Sequence, residues 1–254
     1  MLSGRWNRRL VLLFLVASLA TSAAAPIGSA RAAYPGTVAS NESAFEPPCL
    51  AFDDPYPEKM LKAAVAGFAA LGYDTRAYTG AAFTRAAYLA RTANDWGTYV
   101  HSHGDHYWYA ADGRRYAGFR EDSGDCSQAV VYSKEIAAKR AGRQSNLVVM
   151  SMCHVGEDAS TMPAAFAIAK KKYGEGSWGG PAFFVGYLGS AWDNDEWTFE
   201  VAFWAAIGPG YGAGEAFDVA AAQVFAHPFE ANWWGSYVYT GRAGPLSAGC
   251  DRCL

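Results

Sequence analysis

Long uninterrupted apolar runs are missing from this sequence, and so is any excess of basic residues. The longest apolar run, residues 10–20, is shorter than the roughly 20 residues that a membrane-spanning helix requires, and Gly, Pro or charge interrupts the later ones. Lys and Arg number 21 against 24 Asp and Glu, which argues against nucleic acid as a partner and against stable membrane association. A composition of 51% hydrophobic and 15% aromatic residues excludes collagen, a coiled coil and a disordered chain.

The apolar run near the N-terminus has the features of a secretory signal peptide. Three arginines precede it (Arg5, Arg8, Arg9), and Ala30-Arg31-Ala32 supplies the small-residue pattern that signal peptidase needs. The mature protein is therefore expected outside the cell. We predict three segments: a signal peptide over 1–33, an extended N-terminal arm over 34–56, and a single domain over 57–254.

Five cysteines are few, and their number is odd. An oxidising destination favours disulfides, so at least one thiol is left over. Cys153 differs from the others because it follows an apolar, strand-like run, and we expect it to stay a reduced thiol. The remaining four lie in polar or glycine-bearing loops and are expected to form two disulfides, with the pairing open: Cys49, Cys126, Cys250 and Cys253.

Hydrophobic periodicity alternates between helices and strands along the chain. A hairpin with an Asp112-Gly113 turn is predicted over 107–119. Strands that alternate with helices predict an α/β fold, with a mostly parallel central sheet and helices on both of its faces. The predicted strands cover 73–78, 96–102, 147–152, 181–188 and 233–240, and the predicted helices cover 57–71, 81–91, 133–140, 160–172, 193–206 and 215–225.

Two of the predicted strands end in chemically reactive residues. One delivers His103 and Gly104, and the other delivers Cys153. Chemistry in parallel α/β sheets collects at the carboxyl ends of strands, and neighbouring strands lie about 4.8 Å apart. A peptide carbonyl could then lie between the imidazole and the sulfur, with Cys153 as nucleophile and His103 as proton donor. The backbone N–H groups of Gly104 and Cys153 are candidates for an oxyanion hole.

The motifs Ser102-His103-Gly104 and Cys153-His154-Val155-Gly156 resemble those of the caspase and metacaspase superfamily of cysteine peptidases, which includes gingipain-like enzymes. The order of predicted elements is also similar over residues 57–225. The resemblance implies a caspase-like three-layer sandwich, a cysteine endopeptidase with a protein or peptide substrate, and no cofactor. Metacaspases have serine where Val155 stands.

Two positions beside the cysteine complete the candidate site. The resemblance assigns position 151 to the substrate pocket, where metacaspases carry an aspartate that helps to bind Arg or Lys. Ser151 in its place argues against a basic specificity, unless an acid from elsewhere substitutes. His154 follows the nucleophile and is either a group that sets the thiolate fraction or a solvated loop residue. The candidates for the substituting acid are Asp125, Asp193 and Asp195.

A zinc hydrolase is the first alternative. The run of His101, His103, Asp105 and His106 matches the ligand pattern of metallo-β-lactamase-like enzymes, and His154 and His227 could supply the later ligands. That fold begins with strands, whereas helices dominate residues 57–92. We therefore expect that zinc is not needed for activity.

A caspase-like binding module without activity is the second alternative. Aromatic residues near the C-terminus could stack on sugars or peptide side chains, although packing against the core is the simpler interpretation. The aromatic residues in question are Trp233, Trp234, Tyr237 and Tyr239.

Peptide mass mapping under non-reducing conditions tests the cysteine assignment. We expect two disulfides among the four loop cysteines and none at Cys153, because only Cys153 ends an apolar strand. A native crosslink to Cys153 would contradict the assignment and the nucleophile together.

Overall fold

The computed structural model describes residues 34–40, 56–121, 130–158, 160–168, 182–187, 189, 193–207, 213–225 and 237–241. They all belong to the second of the two units into which the chain divides, Ala33–Leu254. No helix among them is long and apolar enough to cross a membrane. The predicted signal peptide lies outside these ranges, as do Cys49, Asp125, Cys126, His227, Trp233, Trp234, Cys250 and Cys253.

The described elements alternate between strands and helices. In chain order they are β1 (Tyr34–Ser40), α1 (Tyr56–Ala70), β2 (Tyr73–Thr79), α2 (Arg85–Thr92), β3 (Gly97–His101), β4 (Gly104–Tyr109), β5 (Arg115–Arg120), β6 (Val130–Tyr132), α3 (Ser133–Arg140), β7 (Leu147–Ser151), α4 (Met162–Ala165), β8 (Phe183–Tyr187), α5 (Asp193–Ile207), α6 (Ala213–Phe225) and β9 (Tyr237–Gly241).

The central sheet has six strands in the order β2-β1-β3-β7-β8-β9. The first five run parallel, and β9 pairs antiparallel with β8. Every residue of β3, β7 and β8 is buried. Strands with both faces covered contain continuous apolar residues, as in Leu147–Ser151. The predicted mostly parallel α/β sheet is confirmed.

Helices cover both faces of this sheet, which confirms the three layers. On one face, α1, α5 and α6 pack through residues such as Phe68, Phe199 and Phe217. On the other, α2, α3, α4 and a second sheet pack around side chains such as Phe119 and Ile136. All but Phe217 are fully buried, and burying a side chain of this size contributes roughly 1.5–3 kcal/mol.

The second sheet is antiparallel, in the order β4-β5-β6. Its β4–β5 hairpin is confirmed: Gly113 has a φ of 72°, and the Arg114 N–H donates to Asp112 Oδ1 at 3.0 Å. Strand β6 has only three residues, too few for a periodic pattern, and sequence analysis missed it. Strand β4 follows β3 after two residues, and the hairpin returns β5 to the end of β3, where the candidate site lies.

Residues 34–40, predicted as part of an extended arm, form a strand inside the sheet. They are extended, but β1 pairs with β2 on one side and with β3 on the other. Val38 and Ala39 are fully buried. Pro35 and Gly36 are weak strand formers, and only seven residues are involved, which explains why the sequence pattern favoured an arm.

Helix α4 ends earlier than predicted, at Ala165 rather than near residue 172. The N–H of Ala167 donates to the Ala164 carbonyl at 2.9 Å, and the N–H of Ile168 donates to the Pro163 carbonyl at 3.1 Å. These are the two bonds of a Schellman motif. Its left-handed position is held by Ala167, with a φ of 56°, and not by the glycine that would have marked the helix end in the sequence.

Close packing of α1 against α5 gives the first prediction from the fold. A Cβ added at Gly67 would lie 2.3 Å from Trp204 Cε3, so Gly67→Ala must displace the indole. We expect a loss of about 1–3 kcal/mol in the free energy of unfolding, although alanine is the better helix former. Chemical denaturation measures it.

The control for this prediction is a double-mutant cycle with Trp204→Phe. The smaller ring should relieve the clash, so Gly67→Ala should cost less in that background. A stabilising Gly67→Ala in the parent protein would contradict the packing.

Candidate functional site

The candidate site begins where β3 and β7 end side by side. The strands pair in parallel, with His101 opposite Ser151, and the Ser102 N–H donates to the Ser151 carbonyl at 3.2 Å. β3 and β7 are therefore neighbouring strands, as the proposed pairing of His103 with Cys153 requires. His103 and Cys153 each follow the last paired residue by two positions, at the same edge of the sheet.

The segment that carries His103 is fixed by β5. The Arg120 N–H donates to the His103 carbonyl at 3.0 Å, and the Ser102 hydroxyl donates to the Arg120 carbonyl at 2.7 Å. These bonds tie the end of β3 to the second sheet. The direction of the chain at His103 is thereby set by backbone contacts on both sides.

Gly104 is the point where the two candidate segments touch. A Cβ there would lie 2.6 Å from Met152 Cγ and 2.8 Å from the Cys153 carbonyl oxygen. Only glycine permits this approach of the two backbones. The residue after the candidate histidine is therefore in contact with the backbone of the candidate cysteine.

Cys153 lies at the margin between core and solvent. It is partly exposed, whereas Met152 and Val155 on either side are buried, and within the described residues it belongs to no disulfide. His103 is partly exposed as well. A thiol and an imidazole in these positions are accessible to a substrate.

His101 lies beneath this edge and has a different environment. It is fully buried, and its Nδ1 lies 3.1 Å from Ser151 Oγ and 3.5 Å from Glu196 Oε2 of α5. Burial, with a smaller contribution from the charge of His103, lowers the pKa of His101 to about 3. His101 is consequently neutral at physiological pH.

Ser151, assigned to the substrate pocket by the resemblance, has a fully buried side chain. Besides its contact with His101, its hydroxyl lies 3.9 Å from the sulfur of Met60 in α1. The side chain is thus in the interior, below the edge that carries Cys153.

Two buried glutamates of α5 were not assigned to the candidate site by sequence analysis. Glu196 and Glu200 lie one turn apart on α5, and both are almost completely buried. Glu200 accepts from the Tyr99 hydroxyl at 2.8 Å and from the Tyr187 hydroxyl at 3.4 Å. Burial, and next the Glu200 charge, raises the pKa of Tyr99 well above its ordinary value. Two acids four residues apart in an apolar helix were the available signal.

A second cluster joins β4 to the loop after Cys153. Glu157 Oε2 lies 3.0 Å from His106 Nε2, and Glu157 Oε1 contacts His154 Nδ1. The Gly189 N–H also donates to Glu157 Oε1, at 2.9 Å. Burial alone would raise the pKa of Glu157, but the hydrogen bonds from His154 and Gly189 lower it below its ordinary value. Sequence analysis named both histidines but missed Glu157.

His154 has an unusual backbone as well. Its φ of 63° lies in the left-handed region, and its N–H donates to the Gly189 carbonyl at 2.8 Å. The imidazole is directed to Glu157, and this side chain of the loop after β7 is 31% exposed. It is a member of the His106–Glu157 cluster.

The histidine run proposed for a zinc hydrolase is divided by the fold. His101 is the last residue of β3 and is fully buried against Ser151, whereas Asp105 and His106 lie on β4. Among the described residues, the group spaced closely enough to hold a metal is His106, His154 and Glu157. The run therefore does not form the expected ligand set.

Comparison with known proteins finds similar solved structures but does not establish an activity. No family model matches the sequence, and no curated protein does. The chain is similar to the solved structure of caspase-1 from Spodoptera frugiperda, with 9% identity, a TM-score of 0.46, and coverage of 87% of this chain and 94% of that one. It is also similar to a protein from Geobacter sulfurreducens, with 12% identity, a TM-score of 0.44, and coverage of 84% and 94%. At these values, neither likeness says what this chain does.

The buried state of His101 predicts a pH dependence of stability. The pKa is about 3 in the folded protein and about 6.5 in the unfolded chain, so the unfolded state binds more protons between these values. The contribution of neutral His101 to the free energy of unfolding is fully present above pH 6.5. It falls as the pH drops toward 3, by up to about 1.4 kcal/mol per pH unit. Denaturation of the parent and of His101→Gln between pH 4 and 8 measures the difference.

We expect the pH slope to be shallower in His101→Gln, because glutamine does not titrate. Ser151→Ala is the matched control: it removes a hydrogen bond to the ring but leaves the imidazole, so its slope should stay like that of the parent. Equal slopes in parent and His101→Gln would contradict the buried, neutral assignment.

Proposed function

We propose that this chain is a secreted cysteine peptidase that hydrolyses protein or peptide substrates with His103 and Cys153. The observation that carries the proposal is the parallel pairing of β3 with β7, in a register that opposes His101 to Ser151. The residues two positions further along both strands are an imidazole and a thiol at one edge of the sheet. An acid–base group and a nucleophile are the two groups that cleavage of an amide uses, which supports the proposal.

In the first step, the Cys153 thiolate attacks the carbonyl carbon of the scissile peptide bond. The carbon–nitrogen bond breaks, and His103 donates a proton to the departing amine. The product is a thioester between Cys153 and the acyl part of the substrate. The carbonyl lies between the imidazole and the sulfur, whose two strands are neighbours about 4.8 Å apart.

In the second step, water hydrolyses the thioester. His103, now neutral, accepts a proton from the water, which attacks the acyl carbon. The carbon–sulfur bond breaks and the carboxylic acid leaves, and the proton returns to the Cys153–His103 pair. The bonds and protons of the two reaction steps balance with the substrate, one water molecule, Cys153 and His103.

The oxyanion formed in both steps needs hydrogen-bond donors. The backbone N–H groups of Gly104 and Cys153 are the proposed donors, and the contact between these two residues supports this assignment. Because Ser151 is neutral and buried, position 151 offers no charge to a basic substrate side chain.

Substitution of each proposed catalytic residue tests the function. Cys153→Ser and His103→Ala should each reduce hydrolysis of a fluorescent unfolded protein by at least about 10³-fold, because each removes an indispensable role. The double variant should be no slower than either single one, since the two residues act as one unit. We compare the initial rates of hydrolysis by the parent and the variants in the presence of a chelator. The melting temperature of every variant is measured as well.

Asp112→Asn is the matched control, because its side chain lies on the exposed hairpin tip, bound to Lys134 at 2.8 Å. It should retain the parent rate. Thiol alkylation should abolish hydrolysis, and the chelator should not. A fully active His103→Ala would remove the dyad, and hydrolysis lost to the chelator alone would replace the peptidase with a metallohydrolase.

A further inference from the structure

The cluster of His106, His154 and Glu157 has the composition of a metal site. One ligand atom from each side chain lies within 4.8 Å of the other two. In the two histidine–glutamate pairs, the atoms are already at contact distance. Tetrahedral zinc holds its ligand atoms about 3.3 Å apart, so a small adjustment of the side chains brings all three ligand atoms to an ion.

The chemistry of these three groups favours zinc over harder cations. Two imidazoles and a carboxylate are the three protein ligands of many zinc sites, with a fourth position left to water. Magnesium and calcium prefer oxygen ligands alone. With neutral imidazoles, the set carries one negative charge from Glu157, which attracts a divalent cation.

Neighbouring groups lie beside two of the three ligands. Asp105 Oδ1 lies 3.4 Å from His106 Nδ1, the nitrogen opposite the one that faces Glu157. That Nδ1 is buried and makes no hydrogen bond within the described part of the chain. A carboxylate beyond the distal nitrogen is the usual partner of a zinc-bound histidine. The Gly189 N–H donates to Glu157 Oε1 at 2.9 Å and so orients this carboxylate.

The site is open enough to load an ion. The side chains of His154 and Glu157 are 31% and 29% exposed, and that of His106 is 12% exposed. The three side chains come from two segments, since His106 belongs to β4 and the others to the loop that follows β7. An ion held by all three would fix this loop against β4.

We propose that His106, His154 and Glu157 bind one Zn²⁺ ion, which joins β4 to the loop that carries Cys153. The site is separate from the proposed dyad and does not depend on peptidase activity. Zinc takes no part in the bond-breaking steps; it stabilises the loop, so its removal should lower Tm without abolishing hydrolysis.

Zinc binding to the purified full chain tests the proposal directly. Isothermal titration with Zn²⁺ should show one equivalent that is lost in His106→Ala, in Glu157→Gln and in His154→Asn. Asparagine is chosen at position 154 because it tolerates left-handed backbone. Asp105→Asn should weaken the affinity by about tenfold without abolishing binding.

His103→Ala and Cys153→Ser are the controls that separate this site from the dyad. Both variants should still bind one equivalent of Zn²⁺. Zn²⁺ should also raise Tm in the parent but not in Glu157→Gln. Magnesium should produce no such shift.

Three results would overturn the proposal: no zinc bound by the parent, full binding by Glu157→Gln and His154→Asn, or loss of the equivalent in His103→Ala. If His106→Ala fails to fold, the two loop variants decide. Because the readout is binding and not hydrolysis, a failure here leaves the proposed peptidase function standing, and an inactive protein that binds zinc leaves this site standing.

Discussion

The parallel pairing of β3 with β7 is the constraint on which the rest of the site depends. It sets two strand ends at one edge of a sheet that is buried on both faces. A shift of one residue in this register would turn the side chains of one strand to the opposite face, at the cost of its buried packing. The spacing between the segments of His103 and Cys153 is therefore held by the stability of the whole domain.

Beneath this edge, the protein buries polar groups that are costly to desolvate. His101 contacts Ser151 and Glu196, and Glu200 accepts hydrogen bonds from the hydroxyl groups of Tyr99 and Tyr187. Removing one member of such a network leaves another without compensation, which costs more than the single contact contributes. The network makes α5 a support for the ends of β3 and β7.

Much of this arrangement could be predicted from the sequence, because periodicity encodes burial. The continuous apolar run of β7 predicted both the strand and the position of Cys153 at its end. Strand β1 was missed because Pro35 and Gly36 obscure a short pattern, and the end of α4 because Ala167 occupies a position that usually holds glycine. The contact of His106 with Glu157 could not be predicted, since it depends on where β4 lies relative to the loop after β7.

The central claim is that Cys153 is a nucleophile activated in concert with His103. Acid quenching during turnover of an activated ester, followed by intact and peptide mass spectrometry, tests it most directly. The account predicts one acyl group per chain, located on Cys153 and absent in Cys153→Ser, with much slower formation in His103→Ala. An acyl group on another residue, or equal rates of acylation with and without His103, would contradict it.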